Sequence, residues 1–456
     1  SPTNVMFGTE AKFPAQYRKA LLAFDWSFGI IYAIHLIPSG ASYEATAEEF
    51  ISGSPLPLTD GTIGPDGAMY FATGGRRLES DLYRVYYKGE PEAAEPMEVA
   101  DLPEAAKIRR DLEKYHSKNA SSEGLDLAWA NLAHADRFVQ YAARLVLEHQ
   151  PIELWKSKAL NESDPVKKTQ AVLALARQGK DTDAVPMLRS LMEIDYASLS
   201  EKAKGDLLRT FEVILYRYDQ AATPIKADLV AYLNPNFPAK DNLLNRSLAV
   251  LLTHLDAPDA VEKTLALLKN AKDDENYQKT VTSSSELIFR NPQYGLDIAN
   301  MLANVPPAQQ TYFATVLGGA NSGWTEDTRK EYFSWIKNAL TNYKGGRSYV
   351  GFLDRARKMA LAKVAKEDFD RFDELSGGKL LTSSGNDLAG EGIQPEGPGR
   401  RWTVEEALPL VDSLQARDFV RGKAMYAATL CQSCHSMQGE GGVIGPDLTQ
   451  LESRFS

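Results

Sequence analysis

Cys431-Gln432-Ser433-Cys434-His435 is the stretch of this chain whose chemistry follows directly from residue types and spacing. Two thiols three residues apart fall on one turn of backbone, where each can add to a haem vinyl group, and the adjacent imidazole of His435 can ligate the iron. The pattern reads as a c-type haem attachment site with His435 as the axial ligand of the iron. These are the only two cysteines in the chain, whereas a structural zinc site needs four ligands. The other histidines, His35, His116, His134, His149 and His254, are scattered singly. A thioredoxin-like dithiol is the remaining alternative; such a pair usually follows a strand in a βαβ pattern, and no such pattern precedes this one.

The flanks of the motif agree with the haem reading. Upstream, Asp418 to Tyr426 spaces Phe419, Ala424 and Tyr426 among polar residues at helical intervals, which predicts a helix. Downstream runs Gly439-Glu-Gly-Gly-Val-Ile-Gly-Pro-Asp-Leu448. Its glycines let backbone pass close to a flat macrocycle, and a carbonyl near Pro446 can accept a hydrogen bond from the far nitrogen of His435, fixing the tautomer.

On these residues, 415–456 resemble the start of a class I cytochrome c domain. They also resemble the haem-binding domain that closes many large planctomycete-type multidomain dehydrogenase-like proteins. In that family the second axial ligand, commonly a Met, lies well beyond the position of Ser456, so the resemblance implies a sequence that ends inside a domain. Met437 is too close to His435 to reach the opposite face of a haem, and Met425 is read as a packing residue.

Length and charge bound the rest. A chain of 456 residues exceeds one ordinary core, and roughly two to four units are expected. A net charge of -10 argues against nucleic acid or an anionic membrane surface as the main partner. The longest apolar candidate, Leu21 to Leu36, is broken by Asp25, Ser27 and Gly29, so no transmembrane segment is expected. Ser1 is not preceded by a basic-then-apolar leader, which implies either a removed signal or a start within a longer protein.

From Ser1 to 91 the pattern is of strands. Ala20–Trp26 and Ile30–Leu36 flank a Gly-containing turn, and Ala68–Ala72 and Leu82–Tyr87 flank Gly74-Gly75. Four short strands between turns suggest a blade of a β-propeller, most of which would lie before Ser1. The segments FPAQYRKALLAFDWSFGIIYAIHL and PLPLTDGTIGPDGAMYFATGGR resemble the last blades of sugar-dehydrogenase-like propellers. Some relatives bind pyrroloquinoline quinone and carry Arg-x-Arg just before the Asp that is here Asp60. This chain has Pro57 and Thr59 at those places, so no quinone-binding residue is carried over. Arg76, Arg77, His35 and Asp25 are read as solvated or strand-capping residues rather than the lining of a propeller mouth.

From about 92 to 375 the period changes to that of helices. Phe138, Tyr141, Ala142, Leu145, Val146 and His149 form one expected apolar stripe; Leu207, Leu208, Phe211, Ile214, Leu215 and Tyr218 form a second; and Leu244, Leu248, Leu251, Leu252 and Leu255 form a third. Asp164 is placed to cap a helix with Pro165 at its first position and Gly179 just past its end. Successive helices without strands suggest a HEAT-like α-solenoid, with a compact irregular bundle as the alternative. Pairs such as Asp136 and Arg137, or Glu193 and Asp195, are read as helix-end charges, and no catalytic residue is identified.

Residues 376–402 are rich in Gly, Ser, Pro and Glu and read as a linker to a haem domain at 403–456, where Thr403 can cap a helix. The expected fold is therefore multidomain and mainly α, with a partial antiparallel propeller at the N-terminus. Three functions are weighed, of which the first is preferred, as the exit module of a larger dehydrogenase-like protein. One is electron transfer through covalent haem c, with a redox partner protein or the rest of the same polypeptide as the exchanging group. Another is a propeller-based dehydrogenase whose active site lies outside this sequence, and the third is a haem-bearing scaffold or sensor. Thioether attachment takes place outside the cytoplasm, so a periplasmic or otherwise exported location is expected.

Overall fold

The computed structural model describes residues 2–54, 56–75, 79–89, 102–117, 119–273, 306–343, 347–378, 380–381, 403–413, 418–429, 431–438, 440–441 and 448–449. The chain divides into two compact units, Ser1–Ala365 and Lys366–Ser456. It is mostly helical, with antiparallel sheets at its N-terminal end.

Strands β1 (Pro2–Phe7), β2 (Leu21–Asp25), β3 (Ile30–Ser39) and β4 (Ser42–Ser52) pair antiparallel in that order; β5 (Leu58–Ile63), β6 (Met69–Thr73) and β7 (Leu82–Val85) form a second, three-stranded sheet. Alternation explains the core. Leu22 and Phe24 of β2 face one side and stand opposite Ala33 and Ile31 of β3, and all four are buried. Met69 and Phe71 of β6 and Leu58 of β5 join the same cluster. Three side chains fasten one sheet to the other: Thr3 Oγ1 donates to the Leu58 carbonyl at 2.9 Å, Asn4 Nδ2 to that of Gly61 at 2.7 Å, and Trp26 Nε1 to that of Gly74 at 2.8 Å.

The two expected hairpins are present, but their four strands do not make one blade. They belong to different sheets, and β1, β4 and β5 complete the pairing. The long strand β4 is almost wholly solvated, so it carries no alternation of apolar residues by which sequence could announce it; its bonds to β3 hold it. Asp25 does cap a turn, accepting from the amides of Ser27 at 2.8 Å and Phe28 at 3.1 Å. His35 lies 2.9 Å from Glu48 Oε1 on the adjacent strand. Arg76 and Arg77 are outside the described residues.

No strand occurs among the described residues of the following helical region, to Ala365. The helix Arg137–His149 packs on Pro165–Gln178, which packs on Glu201–Ala222, then Asn242–His254, Ala308–Gly318 and Arg347–Leu361, in one continuous order. The second and third expected stripes are buried as read. Each Leu, Ile or Phe in them contributes about 1.5–3 kcal/mol relative to exposure. The first is rotated: Val139, Ala142, Ala143, Val146 and Leu147 are buried, while Phe138 and Tyr141 are exposed.

Caps fix the helix ends. Asp164 Oδ1 accepts from the amides of Val166 and Lys167 at 2.9 Å, with Pro165 as the first helical residue and Gly179 at the far end. The Gly179 backbone is not left-handed; a Cβ there would stand 2.7 Å from the Leu175 carbonyl oxygen, so close approach is what requires glycine. Asp136 caps Arg137–His149 with Oδ1, at 2.8 Å from the Phe138 amide, and with Oδ2 accepts from the Ala41 amide at 2.7 Å. One carboxylate thus joins the β3–β4 turn to the helical region. Glu193 and Asp195 also sit at helix ends, and Tyr332, Phe333 and Ile336 are core.

Candidate functional site

Within the second unit, the helix Phe419–Ala428 begins at Asp418, whose Oδ1 accepts from the Arg421 amide at 3.0 Å. A short turn of helix, Cys431–Cys434, follows, and then a two-residue hairpin pairs Ser436–Met437 with Glu440–Gly441. The chain reverses through Gln438 at φ 53°, a conformation that costs a non-glycine residue energy and is held here by its surroundings. Its amide donates to Thr449 Oγ1 at 2.7 Å, and the Leu448 amide donates to the Ser436 carbonyl at 2.8 Å. The segment beyond the hairpin therefore returns onto the residues immediately after His435.

The motif residues share one helical turn. The His435 amide donates to the Cys431 carbonyl at 2.9 Å, the i to i+4 bond that brings positions 431, 434 and 435 to neighbouring places on the helix surface. Cys431 is free and exposed, with its Sγ 3.4 Å from Thr429 Oγ1. His435 is half-buried, and its carbonyl accepts from the Tyr426 hydroxyl at 2.8 Å, tying the turn to the preceding helix. Lys423 and Glu440 pair at 2.5 Å and hold that helix to the hairpin. Of the sequence-expected residues, the backbone of Cys434 lies in the turn, while Pro446 is outside the described residues.

A cleft of about 430 Å³ lies between the helix and the hairpin, lined by Phe419, Gly422, Tyr426, Gln432 and Met437 among others. Cys431 and His435 do not line it. Met425 is half-buried in the helix Phe419–Ala428. The roles of Tyr426, Lys423 and Thr449 were not legible in sequence, since each depends on where a turn brings its partner. Thr403 behaves as expected: its hydroxyl accepts from the Glu406 amide at 3.3 Å, and Glu406 Oε2 accepts from the Thr403 amide at 3.2 Å.

The donor set fits covalent haem. An accessible thiol, a second cysteine three residues on and an imidazole in the next position are what thioether attachment and axial ligation require. Among the described residues no group of three or more His, Cys, Asp or Glu side chains is arranged to hold a metal ion by itself.

Residues 419–456 match the family model for cytochrome c. That segment implies haem c as the cofactor and supports electron transfer through it. No curated protein matches the chain. No helix among the described residues is long and apolar enough to cross a membrane.

Proposed function

We propose that this chain carries electrons through one haem c held covalently by Cys431 and Cys434, with His435 as an axial ligand of the iron. The observation that carries the reading is the single helical turn that brings the exposed Cys431 thiol and His435 to neighbouring positions. Bound haem supplies one-electron chemistry between Fe(II) and Fe(III). The protein's own residues attach and orient it. Tyr426 holds the His435 backbone from the preceding helix, Thr429 lies beside the Cys431 sulfur, and Leu448 and Thr449 are bonded to Ser436 and Gln438, just after the ligand. A carbonyl near Pro446 is proposed as acceptor for the far nitrogen of His435, which would raise the basicity of the ligand.

The wider reading follows the sequence resemblance. The N-terminal sheets are proposed to close a sugar-dehydrogenase-like propeller, the row of helices to be a HEAT-like solenoid, and the haem segment from 403 to be the exit module for electrons released in a larger dehydrogenase-like protein. Exchange with a redox partner protein and an exported location accompany that proposal. The intact mass of the denatured chain, measured with its reduced visible spectrum after co-expression with haem-ligation machinery, tests the haem assignment. A mass gain of one haem with sharp reduced bands is expected. Unmodified mass and a featureless spectrum under those conditions would falsify it.

A further inference from the structure

The helix Arg137–His149 turns two aromatic rings outward. Phe138 and Tyr141 are 37% and 50% exposed, and each lies under a guanidinium, with Arg137 at 4.9 Å from the Phe138 centroid and Arg144 at 5.0 Å from that of Tyr141. Together with Gln170, Lys202 and Asp206 they line a cavity of about 470 Å³. The helices Pro165–Gln178, Glu201–Ala222 and Asn242–His254 line a second cavity of about 630 Å³ that holds Arg177, Arg209, Tyr216 and Arg217. Asp206 lines the first and Arg209 and Val213 the second, so the two neighbour each other along the helix Glu201–Ala222 as one interrupted groove. Asp206, Arg209 and Val213 follow one another on the helix Glu201–Ala222 at i, i+3 and i+7. Glu148 bridges the cavities, taking Arg144 on Oε1 at 3.2 Å and Arg177 on Oε2 at 2.7 Å.

Charge in this groove runs against that of the chain. Arg144 and Arg177 share one carboxylate, so one positive charge is left over there. Arg209 pairs with Glu212 and Lys202 with Asp206. Arg137 and Arg217 make no ion pair with a described residue. The groove is therefore net positive in a molecule of net charge -10. Arg and Tyr side by side, with aliphatic stems from Val213 and Val250 between them, are the residue types that dominate protein-binding surfaces. Carboxylates at Glu148, Asp206 and Glu212 interrupt the cations, so an evenly spaced polyphosphate is poorly matched, and the overall negative charge repels it.

We propose that this groove binds an acidic polypeptide segment of a partner protein, its carboxylates meeting Arg137, Arg217 and the Arg144–Arg177 pair and its apolar side chains lying against Phe138, Tyr141 and Tyr216. The site is independent of the haem. The test is fluorescence anisotropy of the full chain with a fluorescein-labelled, Glu-rich peptide of about 16 residues with Leu at every fourth position, a length of roughly 50 Å when extended. Saturable binding is expected, weakened about tenfold or more by R137E/R217E and by raising salt from about 20 to 200 mM. Y216A should weaken it several-fold while leaving the melting curve in place, since that side chain is 91% exposed. Absence of saturable binding, or equal binding by R137E/R217E with unchanged melting, overturns the proposal. Tighter binding of a single-stranded DNA of matching length overturns it in favour of a site for phosphate polymers.

Discussion

The helix Glu201–Ala222 and the helix Phe419–Ala428 treat their apolar side chains in opposite ways. The first buries Leu207, Leu208, Phe211 and Ile214 at 0% exposure, whereas the second buries none of its residues and leaves Phe419 at 67% and Val420 at 75%. The helical region is legible through its packing. The haem segment is legible through its chemistry, and its local structure is held by a few individually placed polar bonds. A hydrophobic period reports where a side chain goes; a ligand motif reports what it does. Neither substitutes for the other.

The largest effect that would break this contrast is loss of the thiols. Cys431→Ala with Cys434→Ala should abolish covalent haem altogether while leaving the far-UV circular dichroism melt of the helical region unchanged; haem that survives acid-acetone extraction of the double variant would show that attachment lies elsewhere. Next, His435→Ala should remove an axial ligand and change the spin state of the iron, read as a shift of the reduced bands. An identical spectrum would mean that another residue holds the metal.

On the packing side, Asp136→Ala should destabilise the first unit by roughly 2–3 kcal/mol, about 1 for the lost cap and the rest for the Ala41 amide left without its acceptor. Asp164→Ala, which removes a cap alone, should cost about 1 kcal/mol. Equal urea midpoints for the two variants would show that the bond to Ala41 adds nothing. Burial works against ionisation of Asp136, but amide donors from Ala41, Phe138 and Val139 outweigh it and hold its carboxyl below the usual range. A native pKa below the unfolded one gives stability that is present above about pH 4 and fades as pH falls through the native value. The stability gap between the parent chain and Asp136→Asn should therefore narrow at acid pH; a gap that widens there would reverse the sign.

The smallest effect concerns the haem segment itself. Tyr426→Phe should retain haem but lower the unfolding free energy read from its absorption change in urea, by about 0.5–1.5 kcal/mol, through loss of the bond to the His435 carbonyl. An unchanged midpoint would place that bond outside the stability of the segment.

How much could be read beforehand follows the same division. The hairpin β2–β3, the Asp164-to-Gly179 helix and two of three apolar stripes were visible because burial repeats at the period of the element. The solvated strand β4 was invisible for the same reason. The first stripe was misplaced because Phe138 and Tyr141 are apolar by composition yet lie beneath guanidinium groups on the surface. Asp136 was recognisable as a helix-end charge, but its partner Ala41 is 95 residues away, and nothing local in the chain announces such a pairing. At the candidate site the Cys431, Cys434 and His435 spacing is plain in the sequence, and the supporting bonds of Tyr426 and Thr449 are not.

The bond from Ala41 to Asp136 also supplies a built-in gauge. The Ala41 amide sits in a tight turn between two strands, where exchange with solvent deuterium would ordinarily be rapid, yet its acceptor belongs to a helix remote in sequence. Its exchange rate should follow the opening of that helix rather than that of the neighbouring turn, so a single labelled amide in the sheet can time the unlocking of the helices.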